Sequence, residues 1–175
     1  GLSWMGHKIN QECKVVYLDF ELVPRLAKER IKEIINHPDN NYTPTTNYRY
    51  CGLRGQNRSL DELALHIQNI KDFNPDLVIV DPFYKLGGEY DETDAGSVSA
   101  VLNKMERFSE RLGCAFVYAH HFSKGNKSET DHIDRASGSG VFARDPDAIL
   151  TLTPHEEEYH LVLEGALRNF PTPDK

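Results

Sequence analysis

Residues 76–82 read DLVIVDP, four apolar residues that run straight into Asp81 and Pro82. No polar residue alternates with Leu77, Val78, Ile79 and Val80, which predicts a strand covered on both faces in the middle of a sheet. Toward the N-terminus from this strand, Ser59 with Glu62 three residues on is a capping-box pattern, and the helix it opens carries an apolar stripe of Leu60, Leu63, Ile67 and Ile70. A short strand is expected before it, at YRYCGL (48–53). On the other side, Val98, Val101, Leu102, Met105 and Phe108 follow helical spacing over residues 97–112, and CAFVYAH (114–120) is a second fully apolar strand. Nearer the start, KVVYLDF (14–20) is β-branched and apolar. The segment after it (23–37) places Leu26, Ile31, Ile34 and Ile35 near helical spacing, with Pro24 acceptable in a first turn. AILTLT (148–153) and HLVLEGALRNF (160–170) predict a terminal antiparallel pair. Strands alternating with helices predict an α/β fold, a mostly parallel sheet with right-handed crossovers.

Open α/β sheets hold ligands at the carboxyl ends of their strands. The first strand ends on Asp19 and Glu21, the middle one on Asp81 and the next on His120 and His121. A single acid before a proline is ordinarily a turn cap. Three strands delivering titratable groups to one rim point instead to a magnesium and phosphate site. An acid ending a hydrophobic strand is the Walker B pattern, and because Pro82 follows it, the water-orienting base must come from another strand, where Glu21 is available. The alternative for Glu21 is a surface acid favoured by the dipole of the next helix.

Composition narrows the field. A chain of 175 residues suits one well-buried domain, and a formal net charge of −7 confines any nucleic-acid contact to a local patch. Cys13, Cys51 and Cys114 form no CxxC pair, which reads as reduced thiols in a cytoplasmic protein without a zinc site. No apolar run approaches the roughly 18 residues of a membrane span, and the start lacks a signal-peptide core.

The segments VVYLDFEL (15–22), LRG (53–55), LDELALHI (60–67), DLVIVDPFYKLGG (76–88), ERLGCAFVYAHHFSKGN (110–126), DRASGSGVFARDPDAILTL (134–152) and LRNF (167–170) together resemble the core motifs of RecA-like P-loop ATPases, in the branch of the plasmid RepA-type hexameric replicative helicases. The resemblance runs from about Val15 to Phe170. It implies a RecA-like fold, ATP and Mg²⁺ as cofactors, a ring-shaped homo-oligomer, expected in this branch to be a hexamer, and single-stranded DNA as the partner. By position it makes Glu21 the catalytic glutamate, Asp81 the Walker B aspartate that holds the metal, and His121 the sensor of the γ-phosphate. Residues 122–136 correspond to a pore-lining loop, where Lys124, Lys127 and Arg135 would meet DNA, although Glu129, Asp131 and Asp134 make a solvated loop an equal reading. Either Arg144 or Arg168 would serve as the arginine that reaches a neighbour's nucleotide.

One departure bears on activity: no G-x-x-x-x-G-K-[ST] occurs in these residues, so the phosphate loop and its helix are expected upstream of residue 1, and the 175 residues alone are expected to be inactive. Two functions from different classes follow. The first is a Mg²⁺-dependent ATPase that drives movement along single-stranded DNA. The second is a non-hydrolysing DNA-binding or assembly module on the same fold, with a recombination or repair ATPase as a third possibility. His120 and His121 could also join Asp81 as metal ligands, but adjacent residues of a strand point to opposite faces.

Overall fold

The computed structural model describes residues 3–4, 7–38, 45–68, 73–86, 91, 93–121 and 140–171. They fall into two compact units, one made of Gly1–Glu89 and Lys104–His120, the other of Tyr90–Asn103 and His121–Lys175. In the first unit, β1 (Ser3–Trp4) and β2 (His7–Lys8) form a small antiparallel ribbon that has no counterpart in the sequence reading. Then come β3 (Val15–Asp19), α1 (Pro24–Ile35), β4 (Tyr48–Gly52), α2 (Leu60–Gln68), β5 (Leu77–Asp81), a 3₁₀ turn (Phe83–Lys85), the second half of α3 (Ala95–Leu112) and β6 (Ala115–Tyr118).

Four strands make one wholly parallel sheet in the order β4-β3-β5-β6. The α/β reading therefore holds, and β5 does lie inside the sheet, between β3 and β6. The capping box is present as well: the Glu62 carboxylate accepts the Ser59 N–H at 2.9 Å, and the Ser59 hydroxyl accepts the Glu62 N–H at 3.3 Å. Of the α2 stripe, Leu60, Leu63 and Ile67 are buried, while Ile70 lies outside the described residues.

The expectation that β5 is covered on both faces is corrected. Val78 and Val80 are 0% exposed, but Leu77 and Ile79 are only half-buried. Chain direction supplies the reason. The β3→β4 crossover steps one way from β3, whereas β4→β5 and β5→β6 step the other, so right-handedness puts α1 on one face and α2 and α3 on the opposite one. The two-helix face is closed, with Val16, Leu18, Val78, Val80, Met105 and Phe108 buried and the Phe108 ring 5.5 Å from Phe116. The other face has α1 alone, starting beside β4, where Pro24 Cγ sits 3.2 Å from the place a Cβ on Gly52 would take. Coverage thins toward β6, and Val117 stands 50% exposed.

The second unit holds the start of α3, a four-residue helix α4 (Val141–Arg144) and the antiparallel pair β7 (Ala148–Pro154) and β8 (Leu161–Leu167), as the terminal segments predict. Asp94 Oδ2 accepts the Ser97 N–H at 2.6 Å and so caps α3, which begins at Ala95 rather than residue 97. No helix among the described residues is long and apolar enough to cross a membrane.

Candidate functional site

The carboxyl ends of β3, β4 and β5 are level, because Asp19 pairs in register with both Gly52 and Asp81. Hydrogen bonds carry the chain past each strand end: the Leu53 N–H donates to the Asp19 carbonyl at 2.7 Å, and the Phe20 N–H to the Asp81 carbonyl at 2.9 Å. Glu21 and Asp81 are thereby set on one rim of the first unit.

The three acids of this rim have different surroundings. Asp19 is 2% exposed, and its carboxylate accepts the N–H groups of Glu21 and Leu22 at 2.8 Å each on Oδ1 and the Tyr50 hydroxyl at 3.1 Å on Oδ2. A buried carboxylate needs such donors, and these shape the turn that follows β3. Asp19 is thus occupied by the fold. Glu21, the second residue beyond it, is exposed, and its Oε1 accepts the Tyr84 hydroxyl at 2.7 Å. Asp81 is half-buried and accepts the Tyr17 hydroxyl on Oδ2. Each acid is thus met by a different tyrosine, and two of these, Tyr17 and Tyr50, are register partners whose rings stack at 6.3 Å and 21°.

Burial, and after it the bond to Asp19 and the charge of that carboxylate, pushes the Tyr50 phenol up to about 12. Tyr17 is raised by burial and by its bond to Asp81, and Tyr48 by burial and the charge of Asp19. Tyr50 therefore keeps its proton in the folded chain where the unfolded chain loses it, near pH 10. Its contribution to stability is complete below pH 10 and is lost as the pH climbs toward 12. An alkaline titration followed by phenolate absorbance should show a late-titrating class of tyrosines, and Asp19→Asn should bring Tyr50 to an earlier titration point while burial still holds it above the ordinary phenol; an unchanged curve would count against the Tyr50–Asp19 bond.

Tyr84 has a rigid base. Pro82 and Phe83 on one side and Leu86 on the other are buried, and the Phe83 N–H donates to the Ala119 carbonyl at 2.8 Å, tying the 3₁₀ turn to the end of β6. A hydrogen bond to a charged acceptor contributes about 1.5–3 kcal/mol, and holding a glutamate side chain still costs roughly 1.5–2 kcal/mol, so the Tyr84–Glu21 bond sets direction more than it adds stability.

In front of Glu21 is a cleft of ≈ 750 Å³ between the turns after β3, β4 and β5, with Arg54, Gln56, Asn57, Tyr84 and Lys85 in its walls. Gly55 supplies the turn after β4 with a φ of +76°, a conformation that costs glycine least. Two cations in the walls favour an anionic occupant, and an exposed carboxylate among them can align a water molecule. Sequence reading did not single out Tyr17, Tyr50, Tyr84, Arg54 or Lys85. Only the strand register and the turns bring them to the acids.

His120 is half-buried beyond the end of β6, and His121, exposed, begins the second segment of the second unit. Among the described residues no group of three or more His, Cys, Asp or Glu side chains could hold a metal, so a His–His–Asp81 centre has no support. Asp81 alone still fits Mg²⁺ carried by a nucleotide, since that ion takes one or two carboxylates and completes its shell with water and phosphate. In the second unit the Arg168 guanidinium donates to the carbonyls of Arg144 and, at 2.7 Å, of Asp145, and lies 3.7 Å from the Asp147 carboxylate. Arg144 Nε donates to the Gly140 carbonyl at 3.2 Å. Lys124, Lys127 and Arg135 lie outside the described residues.

No curated protein matches the chain. A family model described as an AAA domain matches residues 1–127, a span that takes in Glu21, Asp81 and His121 and ends before Arg144 and Arg168. With that match running through all four parallel strands and well over half of the sequence, the chain belongs to the AAA domain family, a P-loop ATPase family of RecA-like fold that points to nucleotide hydrolysis.

Proposed function

We propose that the chain is the core of an oligomeric, Mg²⁺-dependent ATPase that couples ATP hydrolysis to movement along single-stranded DNA in replication, as a RepA-type helicase does. The observation that carries the reading is the division of labour on the rim: buried Asp19 builds the turn, and exposed Glu21 and half-buried Asp81 stand beside each other's strand ends with chemistry to spare. Glu21 aligns the attacking water and accepts its proton as the water attacks the γ-phosphorus in line and the bond to the bridging oxygen of the leaving ADP breaks. Asp81 would hold the Mg²⁺, which would supply neutralisation of the phosphate charge. His121 senses the γ-phosphate, Arg144 or Arg168 reaches a neighbouring subunit's nucleotide, and Lys124, Lys127 and Arg135 contact the DNA backbone.

This reading needs a phosphate-binding loop, and no such motif occurs in the 175 residues. The absence of a phosphate-loop motif from the sequence also favours one alternative, a DNA-binding or assembly module that does not hydrolyse nucleotide.

The test is ATP hydrolysis by the intact protein with and without oligo(dT) in the presence of Mg²⁺. Hydrolysis stimulated about tenfold by the single strand, and abolished by EDTA, is the expected result. DNA binding without any hydrolysis would move the chain to the module reading, and hydrolysis indifferent to DNA would remove the motor.

A further inference from the structure

We propose that Tyr84 is a positioning residue for Glu21, holding one oxygen of that carboxylate so that the other faces the cleft. The inference rests on Glu21 being the water-aligning acid. Asp19 fixes the backbone of Glu21 through the N–H groups of Glu21 and Leu22, but nothing in that turn orients the side chain, which is exposed and has three rotatable bonds. The Tyr84 hydroxyl, 2.7 Å from Oε1, supplies that orientation from 63 residues away in sequence. It can do so because Pro82, Phe83 and Leu86 bury the turn around it and the Phe83 N–H ties that turn to the Ala119 carbonyl.

With Oε1 accepting from the phenol, Oε2 is the oxygen left to accept a water proton. Tyr84 transfers no proton itself. Tyr84 is 42% exposed and stands in the wall of the same cleft, with Lys85 Nζ 5.1 Å from the ring centroid. A negatively charged group drawn toward Arg54 and Lys85 therefore meets the phenol that directs Glu21.

Tyr84→Phe keeps the ring and its cation contact and removes only the hydroxyl. In the intact protein it should lower kcat about tenfold, the effect of one charge-assisted hydrogen bond, with KM for ATP unchanged. It should have no further effect in a Glu21→Gln background. A second measurement needs no turnover: a double-mutant cycle of Tyr84→Phe and Glu21→Ala in equilibrium unfolding should show coupling of roughly threefold or more in the unfolding constant. Wild-type kcat in Tyr84→Phe alongside a crippled Glu21→Gln would overturn the role of Tyr84 and leave that of Glu21 standing. Wild-type kcat in both would overturn both, and additive unfolding energies would overturn the contact itself.

Discussion

Glu21→Gln should lower ATP turnover by about 10²–10⁴-fold, the usual contribution of a positioned general base, and leave the fold intact. Glutamine has the length of glutamate, and its carbonyl oxygen can still accept the Tyr84 hydroxyl, so the side chain stays where it is. What it loses is the ability to take a proton and the negative charge that turns a water molecule toward phosphorus. Glu21 is exposed and shapes no backbone turn with its carboxylate, so the change in stability should stay within about 0.5 kcal/mol, the ordinary range of surface substitutions. The measurement is steady-state ATPase of the intact protein together with a thermal melt of wild type and variant. Turnover within twofold of wild type, at equal melting temperature, would take Glu21 out of the mechanism and with it the reading of this rim as a hydrolytic site.

How much of this could be read before the structure depends on the range of the interaction that decides each feature. The strands β3, β5 and β6 and the capping box of α2 are local, and their apolar runs, end acids and Ser59–Glu62 spacing announce them. The half-open face of β5 could not be read, because Leu77 and Ile79 look the same in sequence as Val78 and Val80, and what separates them is which side of the sheet each crossover helix takes. The β1–β2 ribbon has two residues per strand, too few for any period to appear. The rim shows the same limit at finer scale. Asp19, Glu21 and Asp81 are legible as strand-end acids, but their tyrosine partners are not: Tyr17 reaches Asp81 across 64 residues, and Tyr50 reaches Asp19 across 31. Those contacts exist only once the register of β3 against β4 and β5 is set. Arg54 and Lys85 escaped notice for a related reason, since isolated basic residues in turns carry no motif until the cleft gathers them.

Asp19 and Glu21 are two residues apart on the same rim, and the hydrogen bonds assign the structural task to the first and the chemical one to the second. Asp19→Ala therefore should strike both stability and turnover. It strips the acceptors from two backbone N–H groups and one phenol, at about 1–3 kcal/mol for each donor left buried, and since the turn can open to water for part of these, the net loss should be about 3 kcal/mol. For a chain of this size that is a fall of about 6–12 °C in Tm. The turn would then no longer hold Glu21 in place, and displacement of a reacting group by about 1 Å can cost 10²-fold in rate. Asp19→Asn is the control that separates the two roles. Its amide oxygen can accept the N–H groups of Glu21 and Leu22, and its amide nitrogen can donate to the Tyr50 oxygen, so the turn survives without a charge. Near-normal stability and turnover in Asp19→Asn, beside a damaged Asp19→Ala, identify Asp19 as the residue that builds the turn. A folded Asp19→Asn as inactive as Glu21→Gln would instead make the charge of Asp19 part of the chemistry, because the variant changes little else at that position.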